Sequence, residues 1–366
     1  MGLMGLMRPI SPHDCGHNTV TPQHPVPYSH LRARQCCRVI YDEVERKMTS
    51  NHHLDFLRVT EAAALCAARF VGKGDRDGAD QAACDGMRRT LNELSMCGTI
   101  VIGEGERDEA PMLFIGEQLG NGDGPKIQIA VDPLEGTNLC ANGTPNAIAV
   151  LAAAIEGEGT LMHAPDCYMD KLVVGEECRG IVDITLPPRV NVRLMSKAMG
   201  KEVDELIIGV LDRPRHEQLI REIREAGARV HLVSDGDLSV AVAALDPDSD
   251  VDALMGIGGA PEGVITAAAT LCCKGEMQAR LVFTKGEQRE RAEKMVGGDL
   301  ERVFTTEDLA SGNVMFSATG ITSGDLLKGV RYRRGFALTE SLIMRSATGT
   351  IRRIETTHQD AGKYAY

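Results

Sequence analysis

From residue 54 onward, short apolar runs alternate with longer segments whose apolar residues recur at three- and four-residue spacing, and most runs end on glycine or an acid. A chain patterned this way folds as strands interleaved with helices, because each strand needs a partner layer to bury its apolar face. The spacing of Phe56, Leu57, Ala64, Leu65, Ala68 and Val71 predicts a first amphipathic helix closed by Gly72 and Gly74. A second helix is expected over 79–94, stopped by Gly98, after which the β-branched run 99–102 enters a strand that halts at Gly103. Further strands are expected at 127–131, 147–154, 172–174, 206–211, 230–233, 314–319 and 342–345, with helices at 215–226, 238–244 and 264–272. The class is therefore α/β. Three regions are expected: an N-terminal extension over 1–50, a metal-binding lobe over 51–187 and a substrate-binding lobe over 188–366, parted at the Pro187, Pro188 pair.

Composition narrows the partners. With 40 Lys and Arg against 52 Asp and Glu, the net charge of −12 repels a phosphodiester backbone, and a chain without Trp has little to stack on bases. No nucleic acid is expected. Nor is a membrane, since the most apolar stretch, 146–155, is too short to cross a bilayer. Eleven scattered cysteines, odd in number, read as reduced thiols in a cytosol rather than a secreted disulfide framework.

The first fifty residues differ from the rest: six of the ten histidines and five of the 15 prolines lie between Met1 and His53. His13, Cys15 and His17 have no second ligand pair at finger spacing, so an extension is expected there rather than a zinc site. Residues 1–40 carry four Arg and one acid, which leaves plastid or other organelle targeting open beside a cytoplasmic location.

Chemistry concentrates at strand ends. The run 129–137 is an apolar strand leading into Asp132, a proline turn, Glu135, Gly136 and Thr137. Two carboxylates three residues apart across a stiffened turn can converge on hard cations, and Gly136 lets the backbone approach a phosphoryl oxygen. The same four residues also fit an Asx-type turn with solvated acids. Upstream, a buried strand delivers Glu104 and Glu106 between glycines, with Asp108 and Glu109 beyond, and acids crowded at a strand exit repel one another unless cations neutralise them. Asp75, Asp77 and Asp80 cap or bind at the start of a helix, and Glu262 is expected in a glycine-rich loop before another. His216 reads as a helix N-terminal residue, and His163 and His231 as packing or surface groups. Lys171 is either a phosphate contact or a surface lysine.

VIGEGERDEAP (101–111), DPLEGT (132–137), APDCYMDK (164–171), LDRPRH (211–216), DGD (235–237), GIGGAPEG (256–263) and ATGITSGDLLKGV (318–330) occur in this order. Together they closely resemble the class II, GlpX-type fructose-1,6-bisphosphatases over about residues 54–358. DPLEGT by itself resembles the signature of the wider lithium-sensitive, metal-dependent phosphatase superfamily. The resemblance implies a layered α-β-α-β-α sugar phosphatase fold with two lobes and the active site between them. Asp80 and Glu104 are then expected to hold one divalent ion and Asp132, Glu135 and Glu262 a second. Oxygen-only donors favour Mn²⁺ or Mg²⁺.

By the same resemblance, Glu135, Gly136 and Thr137 border the phosphate being cleaved, and Thr137 orients the attacking water, with Glu104 or Glu106 as proton sink. Tyr168, Arg213, Pro214 and Arg215 are expected at the other phosphate, where arginines two apart around a proline can point the same way. Asp235, Gly236, Asp237 and Gly259 match positions that hold sugar hydroxyls. The substrate implied is fructose 1,6-bisphosphate, cleaved to fructose 6-phosphate in gluconeogenesis or the reductive pentose phosphate cycle, by a homo-oligomer, dimer or tetramer. Asn138 and Leu139 resemble relatives that also take sedoheptulose 1,7-bisphosphate. An inositol monophosphatase and a non-catalytic sugar-phosphate sensor are the remaining alternatives.

Overall fold

The computed structural model describes residues 52–104 and 113–359. The expected extension over 1–50 and the acids Glu106, Asp108 and Glu109 lie outside the described residues. The described residues open with helix α1 (His52–Ala67) and helix α2 (Arg76–Asn92), followed by strands β1 (Cys97–Ile102), β2 (Gln118–Leu119) and β3 (Lys126–Glu135). The Asp75 carboxylate caps α2 by accepting the Gly78 amide hydrogen at 2.9 Å, which fixes where that helix begins. A short helix α3 (Thr137–Asn142) leads to β4 (Ile148–Leu161) and β5 (Tyr168–Val174), then α4 (Pro188–Met199) and β6 (Ile207–Leu211). Next come α5 (Glu217–Glu225), β7 (Arg229–Val233), α6 (Asp237–Ala243), β8 (Ala253–Gly259), α7 (Ala260–Cys272), β9 (Glu276–Val282) and α8 (Gly286–Met295). The last elements are β10 (Phe304–Thr305), α9 (Thr306–Leu309), β11 (Ala310–Gly320), β12 (Arg331–Arg333), β13 (Phe336–Arg345) and β14 (Thr350–Gln359).

These strands form two sheets. One runs β12-β13-β11-β4-β3-β1-β2, with β14 along β13; the other runs β10-β9-β5-β8-β6-β7. Alternation along each strand sorts its side chains into cores. On β3 and β4, Ile127, Ile129, Val131, Ala149, Leu151 and Ala153 share a core with Phe56 and Val59 of α1 and Ala83 and Met87 of α2. Their neighbours Ala130, Val150, Ala152 and Ala154 belong to a second core, with Leu238 and Val242 of α6, Val264 and Ala268 of α7, and Met169, Val173 and Met277 of the other sheet. The outer face of that sheet, Leu172, Val174, Ile208 and Val210, packs with Val192, Met195, Ile220 and Ile223 of α4 and α5. The layers are α-β-α-β-α, as the motifs implied. Helix α7 is apolar on nearly every side because it lies between two sheets, and Thr266 and Thr270 return their hydroxyl hydrogens to the carbonyls of Glu262 and Thr266, at 2.8 and 2.9 Å.

The two sheets do not part at Pro187. Strand β5 enters the second sheet before that point, and β11 to β14 return to the first after it. Pro187 is instead the N-cap residue of α4 and Pro188 its first position, where a missing N–H costs nothing.

One tie between the sheets bears on pH. His231 Nε2 on β7 lies 2.9 Å from Asp325 Oδ2, in the segment after β11, and Asn146 donates to the same oxygen at 2.9 Å. The Asp325 hydrogen bond raises the His231 pKa, and His231 in turn lowers that of Asp325. The pair therefore stabilises the fold fully only between the unfolded carboxyl and imidazole values, about pH 4 to 6.5, and the contribution fades as pH rises through the elevated His231 value. Both groups are about one-third exposed, so the effect stays under about 1 kcal/mol. Melting temperatures of His231→Gln and the unaltered chain should converge between pH 6 and 9; a constant difference across that range would contradict the ion pair.

Candidate active site

The acids arrive from four elements. Strand β3 delivers Asp132 and Glu135 on either side of a register shift against β4, and the Asp132 Oδ1 accepts the Leu134 amide hydrogen at 3.0 Å. The Asx turn anticipated from sequence is present, but the carboxylates are buried rather than solvated, at 8% and 7% exposure. Glu262 comes from the first turn of α7, not from a loop: Pro261 opens that helix and Gly259 is its N-cap residue. Carboxylate oxygens of Asp132, Glu135 and Glu262 lie within 4.8 Å of one another. Glu104, just past β1, lines one cavity of about 390 Å³ with Asp132 and Glu262. Asp80, buried on α2, is close enough to Glu104 to act on it electrostatically.

Burial is the main cause of every pKa shift here, and mutual repulsion adds to it. Glu104 is pushed up to about 7 by burial, then by Asp80 and Glu262. Glu135 rises to about 8 through burial, then Glu262 and Asp237. Asp132 is driven well above the carboxylate range by burial and by Glu135 and Glu104. Burial also raises Glu262, and the Lys171 ammonium opposes it; Asp80 is raised by burial and by Asp77.

Five acids in this state fit a hard divalent cation. Glu262 Oε2 is buried with no hydrogen-bond partner among the described residues, which is costly for an ionised carboxylate unless a cation completes it. A Cβ on Gly259 would stand 1.8 Å from that same oxygen, so a larger residue there would displace the carboxyl group from this position. The donors are all oxygen. Cys84, within the field of Asp80 and Glu104, has its pKa raised by burial and by those two acids, and stays a thiol rather than a ligand.

Around the acids lie the positions expected to meet substrate. Gly136 and Gly236 take left-handed backbone, with φ of 83° and 74°, immediately before α3 and α6. Thr137 opens α3, and its hydroxyl donates to the Leu134 carbonyl at 3.2 Å. Asn138 Nδ2 donates to Asp235 at 2.9 Å, and Arg213 bonds the other oxygen of that carboxylate at 3.2 Å. Arg213 and Arg215 diverge around Pro214 rather than pointing the same way: Arg213 also reaches the Ser234 carbonyl, whereas Arg215 donates to Ile257 O from Nε and a terminal nitrogen, at 3.1 and 2.7 Å. The Arg215 guanidinium stacks 5.0 Å from the ring centroid of Tyr168, which is 39% exposed.

His216 stands at the helix N-terminus where it was expected, as the N-cap residue of α5, and does more there, whereas Lys171 has a different place. His216 is a buried pin, its Nε2 accepting the Ile257 amide hydrogen at 2.7 Å and its Nδ1 2.7 Å from Leu211 O, so it joins the end of β6 to β8. Lys171 is neither on the surface nor open to a phosphate: its side chain is fully buried, with Nζ 2.6 Å from Asp237 Oδ2. Asp237, expected beside a sugar hydroxyl, therefore carries an ion pair. No sequence pattern marked it, because a lysine on a central strand shows its partner only once α6 is folded over it.

The model for the family described as bacterial fructose-1,6-bisphosphatase, glpX-encoded, matches residues 50–358. Fructose-1,6-bisphosphatase 1 class 2 of Escherichia coli (strain K12) is 45% identical over 318 residues, covering 83% of this chain and 94% of that one. Fructose-1,6-bisphosphatase class 2 of Shigella flexneri aligns with the same identity and coverage. The inositol monophosphatase from Anabaena (Nostoc) sp. PCC 7120 superposes with a TM-score of only 0.26 at 18% identity, over 52% of this chain and 70% of that one. With matches running through all four elements that bring the buried acids together, the chain belongs to the glpX-encoded, class 2 fructose-1,6-bisphosphatase family.

Proposed function

We infer that the chain hydrolyses fructose 1,6-bisphosphate to fructose 6-phosphate and inorganic phosphate with divalent cations at the acid cluster. The observation that carries this reading is the approach of Asp132, Glu135 and Glu262 to within 4.8 Å, in a chain whose relatives bear that activity in their names. Asp132, Glu135 and Glu262 hold one ion, and Asp80 with Glu104 a second. Bound there, Mg²⁺ or Mn²⁺ supplies charge neutralisation for the phosphoryl oxygens and acidifies water.

The protein supplies position. Thr137, its hydroxyl hydrogen directed at Leu134 O, keeps its lone pairs for a water proton and orients the nucleophile beside Gly136, whose backbone admits a phosphoryl oxygen closely. Glu104, which lines the same cavity as Asp132 and Glu262, accepts the proton released. Arg215, stacked on Tyr168, binds the distal phosphate, and Arg213 steadies Asp235, which holds a sugar hydroxyl.

Phosphate release from fructose 1,6-bisphosphate, sedoheptulose 1,7-bisphosphate and inositol 1-phosphate, each with Mg²⁺ and Mn²⁺, tests the reading. Fructose 1,6-bisphosphate should have the highest kcat/KM. Faster turnover of the inositol ester would displace the proposal, and tight binding without release would make the chain a sensor. Thr137→Ala should lower kcat by about 10²-fold while KM moves less than about threefold, since the hydroxyl acts on the water rather than on substrate binding. Near-normal turnover would remove Thr137 from the mechanism.

A further inference from the structure

We propose that Lys171 is a positioning residue of this site, a buried cation that holds Asp237 and the turn before Glu262 in place and tunes the cluster's net charge between metal and phosphate. The proposal rests on the functional reading above and adds a residue to it. Lys171 sits on β5, central in the second sheet, paired with Gly256 of β8 and Ala279 of β9. Its side chain has no solvent exposure, an arrangement a lysine adopts only when its charge is matched. Nζ reaches Asp237 Oδ2 at the start of α6 and donates to Gly259 O, at 2.6 and 3.2 Å.

Two glycines clear the space around it. A Cβ on Gly258 would come within 2.1 Å of Asp237 Oδ2 and 2.8 Å of Lys171 Nζ, and one on Gly259 would strike Glu262. Lys171, Asp237, Gly259 and Glu262 therefore form a stack in which one ammonium touches the N-termini of two helices that carry substrate-facing and metal-facing groups. Asp237 also acts on Glu135 electrostatically. Without Lys171, the cluster would carry one more uncompensated negative charge.

The electrostatic consequence has a sign that a packing role lacks. Removing a buried positive charge next to the acids strengthens cation binding and weakens binding of a phosphate dianion at the same place. Replacing Lys171 with Met, which keeps the stem and drops the charge, should make Mg²⁺ bind roughly tenfold tighter by calorimetry on the full chain without substrate. Inorganic phosphate, added with saturating Mg²⁺, should bind roughly tenfold weaker. Lys171→Arg, with the charge kept, should move both constants less than Lys171→Met does.

Opposite shifts support the proposal. Equal weakening of both ligands, or no change in either, overturns it. If Lys171→Met does not fold, Lys171→Gln, which can still donate to Asp237 and Gly259, replaces it; if neither neutral variant folds, the charge serves folding and the proposal fails. Because Mg²⁺ affinity is read without any sugar, failure here and failure of the fructose 1,6-bisphosphatase reading are separate results.

Discussion

Asp132→Asn should lower kcat by roughly 10³-fold or more and shift Mg²⁺ half-saturation upward by at least about tenfold. The substitution isolates charge. Asparagine keeps an oxygen that can accept the Leu134 amide hydrogen as Asp132 does at 3.0 Å, so the turn that aims Glu135 and Gly136 survives. What disappears is one formal charge from a buried group that lies within 4.8 Å of Glu135 and Glu262. A divalent ion contributes several kcal/mol of transition-state charge stabilisation in such a site, and each 1.36 kcal/mol is about a factor of ten in rate. Asp123→Asn, a change on the exposed loop before β3, should alter kcat less than twofold and serves as the control for net charge. An Asp132→Asn chain that turns over at near-normal rate with saturating Mg²⁺ would mean that the acids of β3 are structural.

Much of this arrangement is legible in sequence, for identifiable reasons. Strands buried on both faces, such as β3 and β4, announce themselves as continuous apolar runs, and the helix over 264–272 does so as well because two sheets enclose it. Strand β9 escapes the pattern because its E-M-Q-A-R-L-V alternation leaves one half-exposed face, and β14 escapes because most of it is exposed. The acids were readable at strand exits, where repulsion has to be relieved by something. Glu262 was misplaced by a few ångströms of context: glycines before a proline read as a loop, although Pro261 is well suited to the first turn of a helix. The Lys171 ion pair, the His216 pin and the divergence of Arg213 and Arg215 depend on which strands become neighbours. Lys171 lies 66 residues from Asp237 and His216 lies 41 from Ile257, and no local spacing encodes such contacts.

The acid cluster also predicts how stability follows pH. In the absence of divalent ions, the melting temperature should fall as pH rises from 5 to 8, and Mg²⁺ should remove most of that fall. Glu104 and Glu135 are shifted up to about 7 and about 8 by burial and by neighbouring acids, whereas in the unfolded chain a glutamate titrates near 4.3. Between those values the folded form binds more protons than the unfolded form, so stability declines with rising pH across that window. The decline should begin above about pH 4.3 and level off only above about pH 8, once both groups are ionised in the folded chain as well. Two groups shifted by several pH units amount to several kcal/mol in total, which for a domain of this size is a change of about 5–10 °C in Tm. A bound cation reverses the preference, because it holds the carboxylates ionised and removes the repulsion that favoured their neutral forms. The stabilisation by saturating Mg²⁺ over EDTA should therefore be small at pH 5 and largest at pH 8. Glu104→Gln should flatten the EDTA profile, since an amide carries no proton to lose. A Mg²⁺ increment that is the same at pH 5 and pH 8, or a metal-free profile without slope, would show that these carboxylates do not face one another in solution.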